Sequence, residues 1–289
     1  MAREGSEQPM SNAQISNHQR SLRAGQFYGE ILHKYDSCGI ILSEFKHDGA
    51  KRIPKHSHEL AYFNLLLDGD YLEFYAGRTA ILKPLTTIFH PPDITHYDQI
   101  GPSGIRIFSI EVKQQWLERL REVGVLPGSA AERPGSELSW LATRLYREYG
   151  YRHRCSSLAI EGLTLEMLAV VSQSRRLQEK VMPPWLQKAT DLLNDGFQQN
   201  LRINHVASQI GVHPVYLSRV FRQFYHQSIS DYVQNLRVQF ACRQLVKEES
   251  NLATISANAG FADQSHFTRV FKQFTGVTPG VFRASMKRK

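Results

Sequence analysis

Over residues 27–112, apolar and polar positions alternate in short runs, and turn residues break the runs. The stretch "AYFNLLLDGDYLEFYAGRTAIL" predicts strand, Asp68-Gly69-Asp70 turn, strand, Ala76-Gly77-Arg78 turn, strand. "TTIFHPPDITHYDQIGPSGIRIFSIEV" continues as short strands broken at Pro91-Pro92 and at Gly101-Pro102. Many short strands between turns predict a small β-barrel or jelly roll. From 113 to 178 the period lengthens to that of a helix. Leu138, Leu141, Leu145 and Tyr149 fall on one helical face, and "SLAIEGLTLEMLAVVSQSRRLQ" repeats the spacing over a longer span. Pro183 and Pro184 cannot sit inside a helix, which places a domain boundary there.

The last region, 185–289, predicts helices only. Trp185 to Leu193 begins it. Asn204 is a candidate N-cap for a short helix holding Val206, Ala207 and Ile210, which Gly211 ends. Pro214 fits the first turn of the next helix, running to about Phe224. A long helix over about 230–247 carries Tyr232, Leu236, Phe240 and Leu245. The pattern then recurs, with Ile255 to Ala259, Gly260, Asp263 as N-cap of a helix ending near Phe274, and Pro279 opening a last helix. The expected fold class is α+β multidomain. A leader (1–26) without order precedes the barrel (27–112), which is followed by a helical linker (113–182) and an all-α domain (185–289).

Two stretches of the last region are near copies: "GVHPVYLSRVFRQFYHQ" (211–227) and "GFADQSHFTRVFKQFTG" (260–276). Each follows a short helix ending in Gly and supplies a second helix, the shape of a helix-turn-helix, whose second helix enters the major groove of DNA. Ala207 and Ser256 hold matching small-residue places that let the two helices approach. Leu217, Val220, Phe221 and Phe224 form one apolar stripe, matched by Phe267, Val270, Phe271 and Phe274. These are core positions. The opposite faces carry Val215, Ser218, Arg219 and Arg222 in one copy, and Gln264, Ser265, Thr268, Arg269 and Lys272 in the other. Arg bonds guanine bidentately, Gln suits adenine, and Val or a Thr methyl can touch thymine. A solvated helix face is the alternative for any one of them; repetition of the whole unit favours DNA. The second copy has one more residue between its Gly and the aligned apolar position, so the two turns are expected to differ.

Charge sharpens this reading. The chain has 35 Lys and Arg against 27 Asp and Glu; from Trp185 onward the counts are 13 and 6. Nearly all the excess positive charge therefore lies in the region with the paired units, as phosphate binding requires. No apolar run approaches the roughly 18 residues that span a bilayer, and the polar N-terminus lacks the core of a signal peptide. Cys38, Cys155 and Cys242 are scattered, without a CxxC pair, which argues for a reducing compartment and against a thiolate zinc site.

On "VASQIGVHPVYLSRVFRQF" and, more specifically, "GFADQSHFTRVFKQFTGVTPGVFR" (260–283), the region 185–289 resembles the DNA-binding domain of the AraC/XylS family of transcription regulators. The resemblance implies two helix-turn-helix units joined by the 230–247 helix, reading successive major-groove segments. It implies base and backbone contacts at Val215, Ser218, Arg219, Gln264, Ser265, Thr268 and Arg269. One departure is His213, where the family often has an N-capping Ser; an imidazole is expected to cap less well.

Regulators of this family often carry a cupin-like barrel in front, and "HSHELAYFNLLLDGDYLEF" with "FHPPDITHYDQI" resembles one. His56 and His58 alternate onto one strand face and His96 comes from a later strand. Cupin enzymes add a Glu to such a trio to hold a metal; Tyr62 and Phe63 stand where it is expected. Three imidazoles can still hold zinc or iron, while regulatory cupins keep these histidines around organic ligands. The expectation is therefore an effector pocket of His56, His58, Tyr62, Asn64 and His96 for a small polar organic molecule, with no cofactor and with a metal on His56, His58 and His96 as the lesser alternative. His90 is expected to be structural.

These readings converge on a cytoplasmic, effector-responsive, sequence-specific regulator, not an enzyme. Its expected partners are double-stranded DNA, a small molecule, RNA polymerase and a second copy of the chain. The 136–178 helices are the candidate dimer surface, unless their stripes pack within the monomer. A cupin metal-dependent enzyme with a basic helical appendage is the alternative from another class, and an architectural DNA-binding protein with a vestigial barrel is a third reading.

Overall fold

The structure is a computed structural model that describes residues 20–122, 130–131, 137–151, 156–177, 182–225, 227–247 and 250–286. Cys155 and the leader up to residue 19 lie outside these residues. Among these residues nine strands form one sheet in the order β1-β4-β8-β5-β7-β9, with β2 on β3, β3 also on β8, and β6 on β5. The strands are β1 (Arg20–Leu22), β2 (Glu30–Ser37), β3 (Ile40–His47), β4 (Lys51–His58), β5 (Ala61–Tyr75), β6 (Arg78–Leu82), β7 (Thr87–His90), β8 (His96–Val112) and β9 (Ala130–Ala131). Part of the expected leader is thus structural. Arg20–Leu22 pairs in parallel with His56–His58, because β4 otherwise has a free edge there.

A second correction concerns the Asp68-Gly69-Asp70 turn. β5 runs straight through it, and β8 runs through Gly101-Pro102. The two long strands pair along their length, with register shifts between Leu66 and Asp68 and between Gly69 and Tyr71. Gly69 and Gly104 take positive φ, 83° and 72°, and a Cβ on Gly69 would collide with the Gly104 carbonyl oxygen. The turn-like residues therefore serve as bulges, not chain reversals. Passing through them, the inward positions switch parity. On β5, Leu66 lies in the interior cluster and so do Tyr71 and Tyr75; on β8, Ile100 does and so do Ile105 and Ile107.

The outer face of the sheet (Leu42, Phe63, Leu65, Phe89, Phe108, Ile110) merges with α1 (Gln114–Glu122), α2 (Glu137–Tyr151) and α3 (Ser156–Leu177) in one apolar cluster. Leu138, Leu141, Leu145 and Tyr149 are all buried in it, so the α2 stripe packs within the chain. On α3, Leu158 and Leu165 stay exposed.

Seven further helices follow: α4 (Pro184–Gly196), α5 (Ile203–Ile210), α6 (Pro214–Tyr225), α7 (Ile229–Lys247), α8 (Leu252–Asn258), α9 (Gln264–Thr275) and α10 (Pro279–Met286). Asn204 is not the N-cap of α5, since the helix starts at Ile203, two residues earlier than that cap requires, and Arg202 occupies the place without a side-chain bond. Leu186, Leu193, Val206, Leu217 and Phe221 form the core of the first unit, which Ile229 and Tyr232 of α7 complete. The other end of α7, with Val238, Ala241 and Leu245, packs with Phe267, Phe271 and Phe282 in the second. That second core is continuous with the cluster over α2 and α3. Trp140 Nε1 donates to Asn235 Oδ1 at 3.1 Å, and Arg147 donates to the Thr275 carbonyl at 2.7 Å. No helix among the described residues is long and apolar enough to cross a membrane.

Candidate functional site

At one end of the barrel, β4, β5 and β8 bring polar residues into the interior. His56 and His96 are cross-strand partners with ring centroids 4.2 Å apart, and His58 lies 5.2 Å from His56 and 5.6 Å from His96. All three are buried. His56 Nδ1–H donates to the Pro54 carbonyl at 2.8 Å and His96 Nδ1–H to the Ile94 carbonyl at 3.1 Å. A carbonyl can only accept, so each bond fixes the tautomer and leaves Nε2 with its lone pair. Tyr62 Oη–H donates to His96 Nε2 at 3.2 Å. Of the five residues expected to line the pocket, His56, His58, Asn64 and His96 do so, whereas Tyr62 is buried behind His96 and does not reach the cavity.

Two carboxylates join them that sequence reasoning missed. Glu73 and Asp98 are direct cross-strand partners facing the same interior. Alternation from His96 reaches Asp98 and was legible; alternation from Asn64 points Glu73 outward, and only the bulges turn it in. His90 Nε2 lies against the Glu73 carboxyl, both buried, a more specific role than packing. The segment before β2 closes the cavity: Phe27 rests on His58 and Tyr28 on His56, with centroids 5.1 and 5.0 Å apart. The free space inside is about 30 Å³. That is room for a few waters.

Burial sets the charge states. It lowers His56, takes His58 down to about 2 with help from the neighbouring imidazoles, and takes His96 to about 4 although Glu73 pulls the other way. All three are neutral near pH 7. Burial also opposes the Glu73 charge, but His90, His96 and His56 outweigh it and hold its carboxyl below the ordinary range. Asp98 is pushed well up, by burial and then by Glu73. One end of the barrel thus offers imidazole lone pairs beside two buried carboxyl groups.

The second site lies on α6 and α9. Their apolar faces are buried as expected, with Phe224 and Phe274 half-buried at the rim. On the opposite faces Val215, Ser218, Arg219, Arg222, Gln264, Ser265, Arg269 and Lys272 are exposed, and Thr268 is half-buried. None of the four cations takes a carboxylate partner among the described residues. Ser218 donates to the Pro214 carbonyl and Thr268 to that of Gln264, at 2.9 and 2.8 Å, which leaves both hydroxyl oxygens able to accept from a ligand. Arg219 lies over the Tyr216 ring at 5.4 Å, which directs its reach.

Both helices start on a side-chain cap. Asp263 accepts from the His266 amide at 2.7 Å, as expected. His213 Nδ1 accepts from the Val215 amide at 3.3 Å, so the imidazole does the work of the expected Ser, at longer range. In both units the turn opens with the same closure: Val212 N–H to the Ala207 carbonyl, and Phe261 N–H to that of Ser256, at 3.0 and 3.1 Å. The extra residue falls after it, in Phe261-Ala262-Asp263 against Val212-His213.

Residues 37–168 match the family model of an AraC-like ligand-binding domain, and residues 206–285 that of a helix-turn-helix domain. The arabinose operon regulatory protein of Salmonella typhimurium is 32% identical over 237 residues, covering 76% of this chain and 82% of that protein. The arabinose operon regulatory protein of Escherichia coli is 26% identical over 238 residues, with 78% and 81% covered. An uncharacterized HTH-type transcriptional regulator of Bacillus subtilis is 24% identical over 238 residues, with 80% and 90% covered.

Proposed function

The chain belongs to the AraC family of transcription regulators, with a ligand-binding domain ahead of a helix-turn-helix domain, and from that premise we propose how its residues divide the work. α6 and α9 are the two reading helices. Val215, Ser218, Arg219 and Arg222 face one major-groove segment; Gln264, Ser265, Thr268, Arg269 and Lys272 face the next. The observation that carries this is the pair of matched faces, apolar and buried inward and largely exposed outward, with cations that take no carboxylate partner among the described residues, on either side of one helix. The 19 residues of α7 span about 28 Å, close to the roughly 34 Å of one DNA turn.

The barrel is the sensor, and a bound effector acts by preferring one arrangement of sensor and DNA-binding units over another. The chain works in the cytoplasm as a homodimer, which binds two half-sites with the gain of effective concentration. With the α2 stripe buried, the exposed Leu158 and Leu165 of α3 are the remaining apolar support for that contact. RNA polymerase is the further partner. The family assignment supports this regulator reading over a metal-dependent enzyme with a basic appendage.

Footprinting of the purified protein on the DNA upstream of its neighbouring genes tests the proposal. The wild type protects a discrete site, and Arg269→Ala weakens binding by about 1–3 kcal/mol. Weak binding without sequence preference, unchanged by Arg269→Ala, would rule it out.

A further inference from the structure

We infer that the ligand of the barrel is a divalent first-row transition-metal ion, held by His56, His58 and His96 with Glu73 and Asp98 beside them. The inference rests on the reading of the barrel as the sensor and names the chemistry it senses.

The geometry comes first. One ring nitrogen from each of His56, His58 and His96 lies within 4.8 Å of the others, and one atom each of Glu73, His96 and Asp98 does the same. Four atoms at metal–nitrogen distances of about 2.0–2.1 Å around an ion sit at comparable separations from one another, so only small rotamer adjustments complete a shell. Nδ1 of His56 and of His96 is committed to a backbone carbonyl. This outer bond is the one that ligating imidazoles use to fix ring orientation and present the other nitrogen, which in His96 must first release the Tyr62 hydroxyl. His58 Nδ1 and Asp98 Oδ1 are buried with no hydrogen-bond partner among the described residues. Both atoms are therefore free to take a ligand in the cavity.

Charge and size both suit an ion. Glu73 and Asp98 stand directly opposite each other on paired strands, and a cation beside them is attracted by both. The cavity, at about 30 Å³, has room for an ion and its remaining waters as the side chains stand. Three imidazoles with carboxylate oxygens suit zinc, iron, nickel or copper, and the absence of thiolate disfavours the softest ions. This set differs from the one expected by resemblance: its carboxylates come from positions 73 and 98, not from the place held by Tyr62 and Phe63.

The test uses full-length, untagged protein stripped with a chelator, titrated with Co(II) and followed by visible absorption and DNA-binding anisotropy. One Co(II) per chain should give a ligand-field band. X-ray absorption of the loaded wild type should show imidazole scattering, and DNA affinity should shift about fivefold or more. His58→Asn and His96→Asn should each weaken Co(II) binding by at least about a hundredfold, while the exposed His33→Asn leaves it unchanged. The inference is overturned if the stripped protein binds DNA but takes up no stoichiometric Co(II), or if the bound ion shows no imidazole shell. It is also overturned if neither His58→Asn nor His96→Asn alters binding, or if the ion binds without shifting DNA affinity. Loss of DNA binding in every form of the wild type would instead count against the regulator reading itself.

Discussion

Glu111 is fully buried on the inner face of β8, where both carboxylate oxygens accept from the Gly25 amide at 3.0 and 2.8 Å. Burial raises its pKa from 4.5 to about 7, against the pull of the Gly25 amide and of Lys34, with Glu59 and Asp36 adding to the rise. A carboxyl raised in the folded state binds a proton more readily than in the unfolded chain. Its contribution to stability is therefore full below pH 4.5 and is lost as pH rises through about 7. Between pH 5 and 8 that loss is up to about 3 kcal/mol. Denaturant unfolding at both pH values should show the gap between wild type and Glu111→Gln moving by that amount in the glutamine's favour. Parallel pH profiles would sink the idea. At this scale the sequence was informative where alternation held within one strand, as for His56 with His58; the step from His58 to Tyr62 and Asn64 crosses a break at Glu59-Leu60 into β5. Alternation failed for Glu73, whose inward direction depends on paired bulges that no local pattern announces.

At the scale of elements, the helices of the last region were legible because amphipathic period, glycine stops and capping residues agree with one another. The strands were less so. Asp68-Gly69-Asp70 and Gly101-Pro102 carry the residues of a turn, and whether they reverse the chain or bulge it depends on the partner strand. Capping gives a direct test of the two reading helices. Asp263→Ala removes the acceptor of the His266 amide and should cost about 1 kcal/mol of stability. His213→Ser replaces a 3.3 Å imidazole contact with the preferred cap and should hold or raise stability. Thermal melting of the two variants checks both. A serine that destabilises as much as the Asp263→Ala change would mean that the imidazole does more at that turn than cap it.

For the whole molecule, one helix belongs to both DNA-binding cores, and the second core is continuous with the helices that cover the barrel. Arg106 from β8 donates to the Met286 carbonyl at 2.9 Å, adding a link between the sheet and α10. A change inside the barrel therefore has a packed route to the second unit and a longer one, through α7, to the first. The sequence showed the units and their charge. It did not show which unit rests on the sensor, since that depends on contacts such as Trp140 with Asn235, 95 residues apart. The central claim is that α6 and α9 each read their own segment of one DNA site. Selection of binding sites from random duplex DNA tests it most directly, with wild type, Arg219→Ala and Arg269→Ala compared. The account predicts two preferred blocks about one turn, roughly 10 base pairs, apart, with each variant losing preference in a different block. No enriched motif, or the same positions lost in both variants, would contradict it.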